Sequence, residues 1–101
     1  MRAKRGREDG TFRIGLRIRG PFRPLAVEFD ETGTCLYIRF GDGRAAKTVE
    51  AQDEVLADYD RAGRLLGIEV VGLEGGRRAS VPGSLGPKGS APGPKFEVSL
   101  A

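Results

Sequence analysis

Residues 57–70 hold two apolar runs separated by Asp60-Arg61-Ala62-Gly63, and residues 27–40 repeat the arrangement thirty positions earlier around Asp30-Glu31-Thr32-Gly33. Asp suits the first position of a tight turn because its carboxylate accepts a backbone N–H two residues on. Gly suits the last because it takes a positive φ with no Cβ to clash. Each unit therefore reads as a β-hairpin closed by a type I turn and a left-handed glycine. Phe29 aligns with Tyr59, Leu36 with Leu66 and Ile38 with Ile68. Period-two alternation predicts that Leu66, Ile68 and Val70 share one face and Leu65, Gly67 and Glu69 the other. Two hairpins, each with one apolar face, can bury those faces together, and two copies are too few for a solenoid.

The remaining chain is read around this pair. Residues 1–10 are polar and basic and predict a flexible arm. From Thr11 to Arg19, Phe12, Ile14, Leu16 and Ile18 alternate with Arg13, Gly15, Arg17 and Arg19, the pattern of a half-buried strand with a cationic outer face. Gly20-Pro21 and Pro24 break that strand before the first hairpin. Gly41-Asp42-Gly43 is a turn, residues 45–50 a third, middle strand, and residues 51–54 a loop. Residues 75–94 are rich in Gly, Pro and Ser and predict a linker or coil. Residues 95–101 alternate again through Phe96, Val98 and Leu100 and predict a returning edge strand. The expected fold is all-β: a small antiparallel meander of two Asp-x-x-Gly hairpins and a middle strand over residues 11–74, with extra edge strands from both tails.

The apolar set between Leu25 and Leu73 is small for a self-sufficient core. That predicts dimerisation, a partner, or tails packed over the body. The net charge of +3 hides a split: residues 1–24 carry +6, residues 25–74 carry −6 and residues 75–101 carry +3. The basic arms can bind nucleic acid or lie on the acidic body of the same or another chain. One cysteine forms no internal disulfide, Arg13, Arg17 and Arg19 break up the apolar stretch that a signal peptide would need behind the basic N-terminus, and no apolar run reaches membrane-spanning length. A soluble cytoplasmic protein is expected, without a membrane partner.

Leu36-Tyr37-Ile38-Arg39-Phe40, Val55-Leu56-Ala57-Asp58-Tyr59-Asp60 and Gly63-Arg64-Leu65-Leu66-Gly67-Ile68-Glu69-Val70 together resemble a prokaryotic family of small domains of unknown function. Its pattern is DALYIRL followed by VDYDxxGRLVGIEIL, matched here over residues 25–73, with Cys35 where the family usually has Ala. The resemblance implies an antiparallel β-domain without established activity or catalytic residues. Such domains are often encoded beside small toxin-like proteins, which implies an antitoxin-like partner role. The string from Tyr59 to Leu65 is also similar to tyrosine-aspartate repeats, but it is mostly hairpin grammar.

Catalytic chemistry is thinly represented. The chain has no histidine, the residue most used for proton transfer near neutral pH. Cys35 lies on a strand without an evident activating base, and an inert packed thiol is the simpler reading. Glu28, Asp30 and Glu31 cluster, as do Asp58, Asp60 and Glu69. Such groups can hold Ca²⁺ or hydrolyse glycosides. Turn duty for Asp30, Gly33, Asp60 and Gly63, and solvation for Glu28 and Asp58, explain them more simply. Tyr37 and Tyr59 can stack on bases or pack a sheet, and packing is the commoner use. No catalytic residue, metal or cofactor is assigned.

The sequence thus predicts a non-enzymatic interaction module that self-associates or binds a protein. Its candidate surface is an acidic face of Asp58, Glu69 and Glu28, complemented by basic arms. The alternative is a nucleic-acid accessory protein contacting phosphates through Arg5, Arg7, Arg13, Arg17 and Arg19. The arginine row also serves to blunt a sheet edge, the reading preferred here.

Overall fold

Alternating burial marks the strands. Val55, Ala57 and Tyr59 are buried between half-buried Leu56 and Asp58, and Leu36 and Ile38 are buried between half-buried Cys35, Tyr37 and Arg39. The computed structural model describes residues 14–20, 22–30, 35–73, 76–85 and 92–100. Among these there are eight strands: β1 Ile14–Arg19, β2 Ala26–Asp30, β3 Cys35–Arg39, β4 Lys47–Gln52, β5 Val55–Tyr59, β6 Leu65–Val70, β7 Arg77–Ser80 and β8 Lys95–Leu100. The protein is all-β, with two antiparallel sheets. No helix among the described residues is long and apolar enough to cross a membrane.

The larger sheet has the order β2-β3-β6-β5-β4. The two hairpins, β2–β3 and β5–β6, do not bury their apolar faces on each other. They lie side by side, joined by β3 and β6, with Leu36 opposite Val70 and Ile38 opposite Ile68. The most apolar strand of each hairpin thereby takes the sheet centre. β4, expected as a middle strand, lies at the far edge against β5, so the sheet is not a simple meander.

The tails do not extend this sheet. They form a second one, ordered β1-β8-β7, whose inner face covers the first. One core joins Ile38, Ile68 and Val55 of the larger sheet to Ala79, Phe96 and Val98 of the smaller, with Leu16 and Ile18 packed against it. The body thus enlists residues beyond 74, and packed tails meet the shortage of core. β8, expected at an edge, is the central strand of its sheet.

Residues 75–94, expected as linker or coil, contain β7 and a packed seam. The Leu65 N–H donates to the Gly83 carbonyl at 3.0 Å, and the Leu85 N–H to the Gly63 carbonyl at 2.6 Å. Tyr59 donates its hydroxyl to the Pro82 carbonyl at 2.7 Å. Composition misleads because these glycines let backbones touch: a Cβ on Gly93 would overlap the Val81 carbonyl oxygen. Backbone bonds and buried Val81 and Leu73 take the place of large side chains.

The second turn forms as its residues dictate. Gly63 has φ +85°, its N–H donates to the Asp60 carbonyl at 2.9 Å, and the Asp60 carboxylate accepts the Arg64 N–H at 2.9 Å. Beyond it the register slips, with Asp58 opposite Gly67 but Tyr59 opposite Leu65. This irregularity changes the expected faces. Leu65, not Leu66, joins the core with Ile68 and Val70, while Leu66 is buried against Gly41. In the first hairpin Asp30 pairs with Cys35, and Gly33 lies outside the described residues.

Candidate interaction faces

The outer face of the five-stranded sheet follows from alternation. Because Ile38, Ile68 and Ala57 point inward, one outward row runs Glu28, Tyr37, Glu69, Leu56, Glu50 across the strands. The next runs Ala26, Arg39, Gly67, Asp58, Thr48. Asp58, Glu69 and Glu28, the three acids expected to share a face, do stand together on it.

They are not equivalent. Asp58 accepts hydrogen bonds from the Tyr37 hydroxyl at 3.0 Å and the Thr48 hydroxyl at 2.6 Å, and so is held within the face instead of standing free in solvent. Tyr37 reaches it by lying across Gly67, where any Cβ would overlap the phenol. The Arg39 guanidinium sits 5.5 Å from the centre of the same ring, a cation–π contact, and 4.0 Å from Glu28. Burial, then the bond to the Asp58 carboxylate, push the Tyr37 phenol up to about 12. Both favour the neutral, donating form. Glu28 and Glu69 flank this ring in the same outward row, Glu28 beside the Arg39 guanidinium. Beside them a shallow depression of about 320 Å³ is bordered by Asp30, Cys35 and Tyr37.

The smaller sheet presents the opposite charge. Its outward rows are Arg17, Glu97, Arg78 and Arg19, Lys95, Ser80. Arg78 pairs with Glu97 at 3.1 Å. Arg17 and Arg19 are exposed on β1, an edge strand, while Arg5, Arg7 and Arg13 lie outside the described residues. Sequence reasoning missed Arg78 and Lys95 as companions of this pair. The alternation from Lys95 to Leu100 was the available signal for Lys95, whereas Arg78 was hidden in the stretch read as linker.

A polar clasp holds the sheets at one end. Glu54, at φ 64° in the β4–β5 turn, is ion-paired with Arg77 of β7 and accepts the Val71 N–H through its carbonyl at 2.8 Å. The Arg64 backbone N–H is the chief cause that holds the Asp60 carboxyl below the usual carboxylate range. Among the described residues no three His, Cys, Asp or Glu side chains gather to hold a metal ion.

The acidic face is thus built wholly from strands β2 to β6. Residues 26–73 match the family model of a protein of unknown function (DUF2283). The DUF2283 match takes in the entire five-stranded sheet and stops before β7. It agrees with the span of the motifs quoted above. The covering sheet, with its basic outer face, falls outside the DUF2283 region. No curated protein and no solved structure matches the chain.

Proposed function

We propose that this protein is a non-enzymatic interaction module that works by binding protein through the acidic outer face of its five-stranded sheet. The observation that carries the reading is the fixed Tyr37–Asp58–Thr48 arrangement with Glu28 and Glu69 on either side of the ring. It is an open, ordered surface of carboxylates around an aromatic anchor, which suits a basic protein surface. A second copy or an antitoxin-like pairing with a small basic protein fits this chemistry, in a cytoplasmic setting. The test is a pull-down from the native host with mass spectrometry, with and without nuclease. A protein should be captured in both conditions and lost with Glu28→Lys/Glu69→Lys. Capture indifferent to that double reversal would overturn the reading.

A second reading is favoured by one observation: Arg17, Arg19, Arg78 and Lys95 share the outer face of the smaller sheet. Such a face suits phosphates, and nucleic-acid binding there would weaken steeply with salt. Fluorescence anisotropy at low salt tests it, and absence of DNA or RNA binding would eliminate it.

A further inference from the structure

Ile38 and Ile68 are equivalent positions of the thirty-residue repeat, and they face each other directly across the β3–β6 seam. Equivalent residues opposed in an antiparallel pair define a local two-fold axis between them. The hairpin registers obey it: Val27 pairs with Ile38 as Ala57 pairs with Ile68, and Glu28 with Tyr37 as Asp58 with Gly67. β2 and β5 are therefore counterparts. The outer edge of β5 carries β4, with Val49 opposite Ala57 and Thr48 opposite Asp58. The counterpart edge of β2 carries no strand among the described residues.

Apolar surface is left at the same place. Leu25 is 60% exposed and Val27 47%, the exposed large hydrophobic residues of the described chain. Every edge bears charge, β2 included through Glu28 and Asp30, but among the described residues the large exposed apolar side chains lie at β2 alone. β4 bears Lys47, Glu50 and a register irregularity between Glu50 and Gln52, β1 bears Arg17 and Arg19, and β7 bears Arg77 and Arg78. An edge strand with exposed apolar side chains is a template for another strand.

We propose that β2 pairs antiparallel with β2 of a second copy, centred on Val27, joining two five-stranded sheets into one of ten strands. This rests on the reading as an interaction module and deepens it by naming one partner and its surface. Centring on Val27 sets the two valines opposite each other and Leu25 opposite Phe29. It also sets Glu28 opposite Ala26, whose neighbour in the row is Arg39. Each Glu28 then has a guanidinium of the other copy beyond a small alanine. Centring on Glu28 would instead oppose two carboxylates, which is destabilising. The contact is isologous and closes at two copies. It doubles the acidic face in one plane.

Sedimentation velocity of the full chain over a micromolar concentration range tests this. The wild type should dimerise, and Val27→Lys and Leu25→Asp should each be monomeric with an unchanged circular dichroism spectrum. Arg17→Glu, on the β1 edge, should stay dimeric. In a Cys35→Ser background, Val27→Cys should cross-link two copies on oxidation and Glu28→Cys should not. A wild type that is monomeric throughout, a dimer that survives both edge variants, or cross-linking through position 28 alone would overturn the proposal. A monomer that still captures its host partner would fault this inference alone. A Val27-dependent dimer that captures nothing would fault only the binding of a distinct partner.

Discussion

Tyr37 and Gly67 occupy equivalent positions in the two hairpins, and the contrast in their size organises the acidic face. The ring lies where a side chain on residue 67 would be. Gly67→Ala should therefore cost about 1–3 kcal/mol, since the ring must leave its place and release Asp58. Urea denaturation of a double-mutant cycle checks the cause: in a Tyr37→Ala background the same substitution should cost far less. Alkaline pH probes the same group. The Tyr37 phenol is raised from 10.0 to about 12 in the folded chain, so the fold favours its protonated form. That stability is fully present below about pH 10 and is lost as pH rises through about 12. The unfolding midpoint should fall across this window, and Tyr37→Phe should flatten the fall. Asp60 has the opposite sign. Its folded-state pKa lies below the ordinary carboxylate range, so its contribution is present above that range and is lost as falling pH protonates it.

At the scale of elements, the hairpins were legible and their neighbours were not. Asp60 and Gly63 mark a turn through their own backbone chemistry, so local residues suffice to identify it. The faces of β6 were misjudged at Leu65 and Leu66 because a register slip opposite Tyr59 leaves no local mark. Asp58 was legible as outward-facing, but its capture by Tyr37 and Thr48 depends on which strands become neighbours. The seam at residues 81–85 escaped for a different reason. Its order comes from backbone bonds to β6, which composition cannot register. That seam makes a sharp prediction at Gly63, where the positive φ coincides with close approach of the Leu85 carbonyl. Gly63→Ala should destabilise by at least ~2 kcal/mol, more than a positive φ alone requires. Thermal unfolding compared with Gly43→Ala, at a positive φ in looser surroundings, separates the two effects.

Across the whole molecule, the small apolar set between Leu25 and Leu73 signalled that something must cover it, but not what. The answer, a second sheet made from both tails, needs the pairing of β1 with β8, which no local pattern encodes. Phe96 is 2% exposed at the centre of that sheet, and Phe96→Ala should cost about 3–5 kcal/mol by chemical denaturation. A chain ending after residue 75 should lose cooperative unfolding and bind a hydrophobic dye, even though it retains the whole five-stranded sheet. The position of β8 between β1 and β7 also sets a clock. Among the described strands β1 is made first, yet its one sheet neighbour there, β8, follows about 80 residues later. At ~5–20 residues per second that is a wait of roughly 4 to 16 s. Throughout it β1 lacks the strand it pairs with, and Arg17 and Arg19 alternate with the apolar Leu16 and Ile18 along it. Charges so placed are gatekeepers against aggregation of the nascent chain. The arginine row thus has a use before the protein is finished.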